Sequence, residues 1–267
     1  TYIGAMYQVQ TSVEGVTDDV WYYTSFANAM GAIGTAYNNE ITVSGKYTID
    51  QSYTLEADQA ILSNDSLVTV GENATITINA DASVDSAAFI AIEGRVVVND
   101  GGSYRPATYN GEVIYEVMSS NKETGVTIYS GFKVTLDAAV SGDVIDVVKS
   151  ATYKGNMTVI SGVTVNVADG ATLTVTGNVT VEQNGTLNLG SASTLQVGTA
   201  GKNNTINVAG TIDASEEGHI VFAPAVTANP EAGVEAADAA NVDMYSTGTV
   251  VVSNAANVTV DVNSAYY

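Results

Sequence analysis

The chain lacks cysteine entirely and contains only three prolines and eight lysines and arginines among 267 residues. Without cysteine there are no disulfides, thiolate nucleophiles or cysteine-ligated zinc or iron–sulfur sites. The 29 acidic residues give a formal charge of −21, which excludes nucleic-acid binding by clustered basic residues that neutralise phosphates. Stability must therefore come from packing and backbone pairing.

Long apolar runs are also missing. The chain has no run of about 18 apolar residues that could span a bilayer, and we recognise no signal peptide in it. Because Thr1 is not an initiator residue, we interpret the chain as a mature or excised product. We expect no transmembrane segment.

The residues that are abundant indicate an all-β protein. Apolar residues make up 45% of the chain and charged residues 14%, so the chain can bury a core and is not a disordered acidic tail. Valine, threonine and isoleucine are frequent, and 25 glycines are distributed among them. Such a composition is typical of short strands joined by tight turns.

Residues 156–222 show the strand pattern most clearly. Apolar and polar residues alternate in short groups, and glycines such as Gly162 and Gly170 separate the groups. The groups are shorter than most hairpin strands, and residues 169–175 are echoed by residues 184–189. The pattern favours a parallel β-helix, or solenoid, with glycines at its corners. Tandem β-sandwich or jelly-roll units are the alternative fold.

The chain also contains an internal duplication. Residues 1–9 match residues 108–117 when one inserted residue is allowed. Further along, residues 20–26 (VWYYTSF) match residues 126–132 (VTIYSGF) in the same order. Agreement in order, spacing and residue type indicates a repeated unit.

The duplication predicts the domain organisation. We expect a first β-rich unit over residues 1–107 and a second, with a longer solenoid stretch, over residues 108–247. Residues 248–267 are expected to form C-terminal strands that make contacts between subunits. They resemble residues 94–109, which close the first unit.

Each unit contains one predicted short helix. Ser25 can cap the first helix, and residues 135–139 are the candidate for the second. The apolar stripe of the first helix comprises Phe26, Met30, Ile33 and Tyr37.

The segment after the second helix carries a resemblance to a known family. Residues 137–147 read DAAVSGDVIDV. This stretch resembles the opening of the pectin-lyase-like parallel β-helix, in which a short capping helix leads through a Gly-Asp turn into the first coil. The resemblance implies the fold shared by polysaccharide lyases, adhesins and repeat-built surface-layer or sheath proteins. For an enzyme it would imply a calcium ion bound by clustered acidic residues and an arginine or lysine base.

The residues do not supply that chemistry, and we predict no catalytic residues and a protein that is not an enzyme. Each basic residue is isolated in sequence and outside any carboxylate cluster. Asp143 and Asp146 are expected on opposite faces of one strand. His219, the single histidine, is interpreted as a polar residue at a coil corner, and the alternative is a general base or metal ligand. The basic residues are Lys46, Arg95, Arg105, Lys122, Lys133, Lys149, Lys154 and Lys202.

Calcium is the one candidate cofactor. Asp18 with Asp19, and Asp81 with Asp85, lie near predicted turns, where carboxylate and backbone oxygens can converge on a hard cation. No EF-hand loop is present in the sequence. The alternative is an acidic surface that keeps a secreted protein soluble.

Asn-x-Ser/Thr sequons are candidate glycosylation sites if the chain is secreted. Asparagines stacked at coil corners are the alternative interpretation. The sequons begin at Asn64, Asn73, Asn156, Asn178, Asn184, Asn203 and Asn257.

Tyrosine, with 15 residues, is the main aromatic residue and gathers at the starts of the units and at the C-terminus. Tyrosine suits protein interfaces. The alternative roles for these tyrosines are a carbohydrate-stacking surface or a core at the repeat junctions.

Neither end of the chain shows an obvious polar cap, so terminal strands are expected to pair with a neighbouring copy. The predicted interface residues are Tyr2, Tyr7, Tyr109, Tyr115, Val258, Val260, Tyr266 and Tyr267.

These features together predict an extracellular structural protein of the cell surface. Head-to-tail contacts would build a homopolymer in the form of a filament, sheath or surface layer, or present an adhesin. A cell-surface glycan is a candidate partner. A carbohydrate-binding or carbohydrate-cleaving β-helix is the alternative function.

Overall fold

A computed structural model describes residues 6–10, 20–33, 39–84, 91–105, 108–109, 112–199, 204–214, 218–222, 249–252 and 257–260. In these residues the chain forms short strands and two short helices. The chain divides into two compact units, Thr1–Gly131 and Phe132–Tyr267. The predicted all-β class is confirmed. Stacked parallel strands confirm the solenoid over the alternative of tandem β-sandwiches.

Unit 1 (Thr1–Gly131) contains helix α1 (Phe26–Ala32) and fourteen of the described strands. The strands are β1 (Met6–Gln10), β2 (Trp21–Tyr23), β3 (Glu40–Ile49), β4 (Tyr53–Leu55), β5 (Ala60–Val70), β6 (Thr75–Ile78), β7 (Ser83–Val84), β8 (Ala91–Ile92), β9 (Arg95–Val98), β10 (Ser103–Tyr104), β11 (Thr108–Tyr109), β12 (Glu112–Val113), β13 (Val117–Asn121) and β14 (Val126–Ser130).

Parallel coils and antiparallel hairpins combine in unit 1. Strands β3, β5, β7 and β10 pair in parallel in that order, and β8 also pairs with β5. The antiparallel hairpin β1–β2 adds to β3. Strands β4, β6 and β9 form a second parallel series, to which the antiparallel hairpin β13–β14 adds through β14. Strands β11 and β12 form an antiparallel pair.

Unit 2 (Phe132–Tyr267) is a three-sided coil made of parallel strands. One sheet contains β15, β18, β21, β24 and β27, the second β16, β19, β22 and β25, and the third β17, β20, β23 and β26, in these orders. The elements are α2 (Phe132–Asp137), β15 (Asp143–Val147), β16 (Ala151–Tyr153), β17 (Met157–Val159), β18 (Thr164–Val167), β19 (Thr172–Val175), β20 (Val179–Val181), β21 (Thr186–Leu189), β22 (Thr194–Val197), β23 (Thr205–Val208), β24 (Thr211–Ala214), β25 (His219–Phe222), β26 (Thr249–Val252) and β27 (Asn257–Val260).

The alternation of residue types explains the core of unit 2. In β21 the side chains of Leu187 and Leu189 are 0% and 3% exposed, whereas the alternate residues Thr186 and Asn188 are partly exposed. Leu187 stands in register with Val165 of the preceding coil and Ile212 of the following coil. Full burial of one such side chain contributes about 1.5–3 kcal/mol, and the stack repeats this gain in every coil.

Stacked turns with positive φ form one corner of unit 2. Gly142, Gly162 and Asn184 have φ values of 94°, 78° and 65°, a region that glycine and asparagine enter at the lowest cost. The N–H of Gly142 donates to the carbonyl of Gly162 (2.9 Å), and the N–H of Gly162 donates to that of Asn184 (3.1 Å). The predicted role of Gly162 at a corner is confirmed.

The sequence-based prediction is better for the first helix than for the second. Ser25 caps α1 as predicted, and its Oγ accepts a hydrogen bond from the N–H of Asn28 at 3.4 Å. Phe26 and Ile33 of the predicted stripe are buried, while Tyr37 lies outside the described residues. The range predicted for the second helix was wrong, because α2 begins three residues earlier, at the fully buried Phe132.

The same order of a hairpin and then a helix occurs twice along the chain, as β1–β2–α1 and as β13–β14–α2. Both helices start at a fully buried phenylalanine, which contacts a tyrosine ring further along the chain. The ring centroids are 5.9 Å apart for Phe26 and Tyr47 and 6.0 Å apart for Phe132 and Tyr153. The unit boundaries after residues 107 and 247 stay a prediction.

Truncating one inward side chain should destabilise unit 2. Leu187→Ala leaves a cavity in the stack and should lower the free energy of unfolding by about 2–5 kcal/mol. Thr186→Ala, at the neighbouring partly exposed position, should change it by less than about 0.5 kcal/mol. Urea unfolding followed by circular dichroism measures both variants, and equal effects would contradict the inward stacking.

Candidate functional site

Tyr7 belongs to the core of unit 1. Its side chain is 0% exposed, and its ring lies edge-on to Phe26 and Tyr47 at 5.4 Å from each. Because α1 packs against β1, no surface of this side chain is left for a neighbouring copy. The expectation that Tyr7 lies in an interface is therefore corrected, and the alternative of a core at the repeat junction describes it.

Tyr115 lies at the edge of a second aromatic cluster. Its ring centroid is 5.0 Å from that of Tyr129, which lies 5.0 Å from that of Tyr104. Tyr104 and Tyr129 are buried and Tyr115 is partly exposed. Burial raises the pKa of all three hydroxyls, because water no longer solvates the phenolate. Tyr115 stays a predicted interface residue.

The remaining predicted interface residues are described by their backbone or lie outside the described part. Tyr109 ends β11, and Val258 and Val260 belong to β27. Tyr2, Tyr266 and Tyr267 lie outside the described residues.

The last strands of unit 2 expose an open sheet edge. Among the described residues β25, β26 and β27 each pair on one side only, with β22, β23 and β24. The N–H of His219 donates back to Ser193 at 2.8 Å. Successive residues of a strand direct their N–H and C=O groups to opposite sides, so those of Ile220 point to the open side. We call these three strands the coil-end edge.

A short apolar surface lies at the start of β2 in unit 1. Val20, Trp21 and Tyr22 are 38%, 54% and 62% exposed, and β2 pairs only with β1 within the described residues. We call these three residues the β2 patch. This patch was not predicted, although VWYYTSF has larger aromatic residues than VTIYSGF at two of the patch positions.

The acidic residues proposed for calcium are only partly described. Asp81 lies exposed at a turn with φ of 62°, and its backbone bonds to Asp58 and Gly101 in the neighbouring coils. Asp18, Asp19 and Asp85 lie outside the described residues. In the part that is described, no group of three acidic or histidine side chains is placed to hold a metal ion. Calcium stays a prediction.

His219 occupies the first position of β25. It is partly exposed and stands in register with Thr194 of the preceding coil. This position agrees with its interpretation as a polar residue where a strand follows a corner.

The sequon asparagines include both exposed and stacked residues. The Oδ1 of Asn156 accepts the N–H of Asn178 at 2.9 Å, and the Oδ1 of Asn178 accepts the N–H of Thr205 at 2.9 Å. These two therefore form part of a corner ladder. Glycosylation stays a prediction for every sequon. Asn73, Asn156 and Asn184 are exposed, Asn178 is partly exposed, Asn64 and Asn257 lie in β5 and β27, and Asn203 lies outside the described residues.

A charged cluster links α2 to the first coil of unit 2. Lys133 Nζ and Asp137 Oδ2 lie 2.5 Å apart, and the hydroxyl of Tyr153 donates to Asp137 Oδ1 at 2.5 Å. Lys133 also lies 4.5 Å from the centroid of the Tyr153 ring. The contact of Lys133 with a single carboxylate was not predicted, and it does not place Lys133 in a carboxylate cluster. The spacing of four residues between Lys133 and Asp137 on a helix was the available signal.

The cluster shifts the ionisation of its members. Burial disfavours the charged form of Asp137, but hydrogen bonds from Lys133 and Tyr153 outweigh it and lower the pKa of Asp137. The hydrogen bond to Asp137 raises the pKa of Lys133. Burial, followed by the neighbouring carboxylate, raises the pKa of Tyr153. All three side chains therefore keep their ordinary charge states at neutral pH, which suits a contact between helix and coil.

Comparison with protein-family models, curated proteins and solved structures finds no match to this chain. Neither α1 nor α2, the helices of the described residues, has the length and apolar character that crossing a membrane requires. The coil-end edge and the β2 patch are therefore the surfaces that bear on function.

The lowered pKa of Asp137 predicts acid-sensitive stabilisation. The contribution is complete above the unfolded pKa of about 3.9 and disappears as the pH falls through the lower folded value. Asp137→Asn should therefore lower stability at pH 7, and its difference from the unmodified chain should shrink steadily below about pH 4. Glu72→Gln, at an exposed carboxyl without this contact, is the control in thermal unfolding between pH 2 and 7. A difference that stays constant across this range would contradict the assignment.

Proposed function

We propose that the chain is an extracellular structural protein of the cell surface, related in architecture to pectin-lyase-like and surface-layer solenoids. Copies join at the coil-end edge and build a filament, sheath or layer. The observation that carries this proposal is the set of three parallel strands, β25, β26 and β27, that present unpaired edges together within the described part of the chain.

An open edge of this kind favours association. Each strand offers a row of N–H and C=O groups, which another strand can satisfy by continuing the ladder. Covering the edge also buries apolar side chains of β25 such as Ile220, which is partly exposed. Because the coil-end edge lies at one end of a unit, it contacts a different surface of the next copy. Such contacts produce open polymers when they do not close into a ring.

The outer surface of unit 2 supports a structural role. Nδ2 of Asn166 donates to Asp146 at 2.7 Å, and Nδ2 of Asn188 donates to Asn166 at 2.8 Å. This amide ladder joins successive coils by side chains as well as backbone. Both kinds of bond run along the coil axis, so the unit resists stretching in that direction.

A carbohydrate-binding role is the second candidate. Thr172 and Thr174 of β19 stand in register with Thr194 and Gln196 of β22, and all four are partly exposed. These hydroxyl and amide groups supply the donors and acceptors that sugars bind. Binding of a cell-surface polysaccharide by chains that stay monomeric would favour this candidate.

Assembly should respond to charge placed on the coil-end edge. Val251 of β26 stands in register with exposed Asn207 of β23, and a lysine on an edge strand hinders strand addition. Val251→Lys should raise the concentration needed for assembly about tenfold, which corresponds to ~1.4 kcal/mol per contact. Asn207→Lys adds the same charge one coil earlier and should have little effect. Sedimentation velocity and negative-stain electron microscopy measure assembly.

The net charge of −21 gives a second test. Repulsion between acidic copies weakens as salt shortens the Debye length from ~30 Å at 0.01 M to ~8 Å at 0.15 M. Assembly should therefore increase with sodium chloride over this range. A chain that stays monomeric at high concentration, with salt and with calcium, would contradict the proposed function.

A further inference from the structure

Unit 1 contains a coil end that is already covered. Strand β9 pairs in parallel with β6 of the preceding coil and antiparallel with β14 of the hairpin on its other side. In the second contact Val96 stands opposite Tyr129, Val97 opposite Ile128, and Val98 opposite Thr127. The chain itself therefore shows how a hairpin strand closes a coil.

The coil end of unit 2 has a local sequence similar to that of the covered one. Residues 94–100 read GRVVVND and residues 248–254 read GTVVVSN, so β26 corresponds to β9. In both places the next strand, β10 or β27, starts five residues after the last valine. In both places the strand pairs in parallel with the preceding coil, which is β6 for β9 and β23 for β26. Unlike β9, β26 has no second partner strand within the described residues.

The strand that corresponds to β14 is β2. Residues 20–26 align with residues 126–132, which places Trp21 at the position of Thr127 and Tyr22 at that of Ile128. Thr127 and Ile128 are partly buried next to β9. Trp21 and Tyr22 are 54% and 62% exposed. Among the described residues β2 is thus a hairpin strand with a single partner, and β26 is a coil-end strand with a single partner.

We propose that β26 of one copy pairs antiparallel with β2 of a second copy, in the register that β9 has on β14. This inference rests on the proposed self-assembly and names the two strands that form its junction. The register places Val252 opposite Trp21, Val251 opposite Tyr22, and Val250 opposite Tyr23 of the second copy. The β2 patch is then the apolar surface that the junction covers.

A buried polar contact gives the proposed junction a further feature. Ser130 Oγ donates to the carbonyl oxygen of Gly94 at 2.6 Å, and Ser130 is 0% exposed. Thr24 occupies the position of Ser130, and Gly248 occupies that of Gly94. Thr24 therefore keeps, next to the proposed junction, a hydroxyl of the kind that Ser130 uses at the covered coil end.

The contact between β9 and β14 also shows which two positions of β2 and β26 suit a disulfide cross-link. The N–H of Arg95 donates to Ala74, which directly precedes β6, so the alternate residues Val96 and Val98 direct their backbone groups to β14. Val97 and Ile128 are consequently a non-hydrogen-bonded pair, with Cα atoms about 4.5 Å apart, within the range of about 4.4–6.8 Å that a disulfide needs. Tyr22 and Val251 correspond to this pair.

The experiment mixes two single variants, Tyr22→Cys and Val251→Cys, under assembly conditions and then oxidises them. The chain has no cysteine of its own, so disulfides form only between introduced cysteines, and each variant oxidised alone measures the background of dimers that join two copies of the same variant. We expect a disulfide-linked dimer at about ten times the yield of Tyr22→Cys mixed with Asn207→Cys, one coil away from the register. Val97→Cys with Ile128→Cys in one chain is the positive control and should close within the copy.

Fluorescence gives an independent readout on the unmodified chain. Trp21 is the only tryptophan, and assembly should shift its emission to shorter wavelength as β26 covers it. Tyr22→Lys should abolish assembly, whereas Asn28→Lys, an equal charge on the exposed surface of α1, should not.

The outcomes separate this inference from the proposed function. Assembly without the cross-link and without the emission shift, while the in-chain control closes, would overturn the β2–β26 junction and leave self-assembly standing. Absence of assembly under every condition would overturn both. The cross-link together with the emission shift would establish the junction.

Discussion

The hydrogen bonds between successive parallel coils are the interaction on which the rest of the structure depends. Strands β21, β22 and β23 of unit 2 each pair with a strand 22 or more residues earlier, so every coil must repeat the path of its predecessor. Inward leucines and valines then stack on one another, and turns with positive φ stack at the corners. The amide ladder from Asp146 to Asn188 follows the same repeat on the outside. Backbone pairing thus supplies the stability that a chain without cysteine cannot obtain from disulfides.

A stack of coils held in this way has a strand edge at each end. In the described part of this chain one such edge is covered by another strand and another is not. The edge of β9 is covered by β14, and aromatic rings including Tyr129 and Tyr104 fill the space behind that contact. The coil-end edge of unit 2 has no such cover among the described residues. The hairpin strand β2 has exposed apolar side chains, and within the described part it has no neighbouring strand on its outer side. The proposed junction between β2 and β26 matches these two surfaces.

Much of the fold could be predicted from the sequence, because the alternation of apolar and polar residues along a strand shows which side chains face the core. Alternation in residues 163–197 identified the inward side chains. Ser25 could be predicted as the N-cap of α1 because its hydroxyl needs only the N–H of a residue in the first turn, which is close in sequence. The candidate site was less predictable. Tyrosine suits both cores and interfaces, so the burial of Tyr7 required knowledge that α1 covers β1. The contact of Lys133 with Tyr153 joins residues twenty positions apart, and only the path of the chain brings them together.

The register between coils has a consequence for how such a protein can change in length. Thr164, Thr186 and their neighbours repeat at an interval of 22 residues, and each added coil extends a solenoid by about 4.8 Å. A duplication of one whole interval would lengthen unit 2 while leaving every existing side chain in place, whereas a one-residue insertion within a strand would turn the following residues inside out. Coils need not contain equal numbers of residues, because the step from Thr186 to its partner Thr211 in the next coil is longer and the turns between strands take up the difference. Evolution can therefore change the length of unit 2 along its axis only by whole coils.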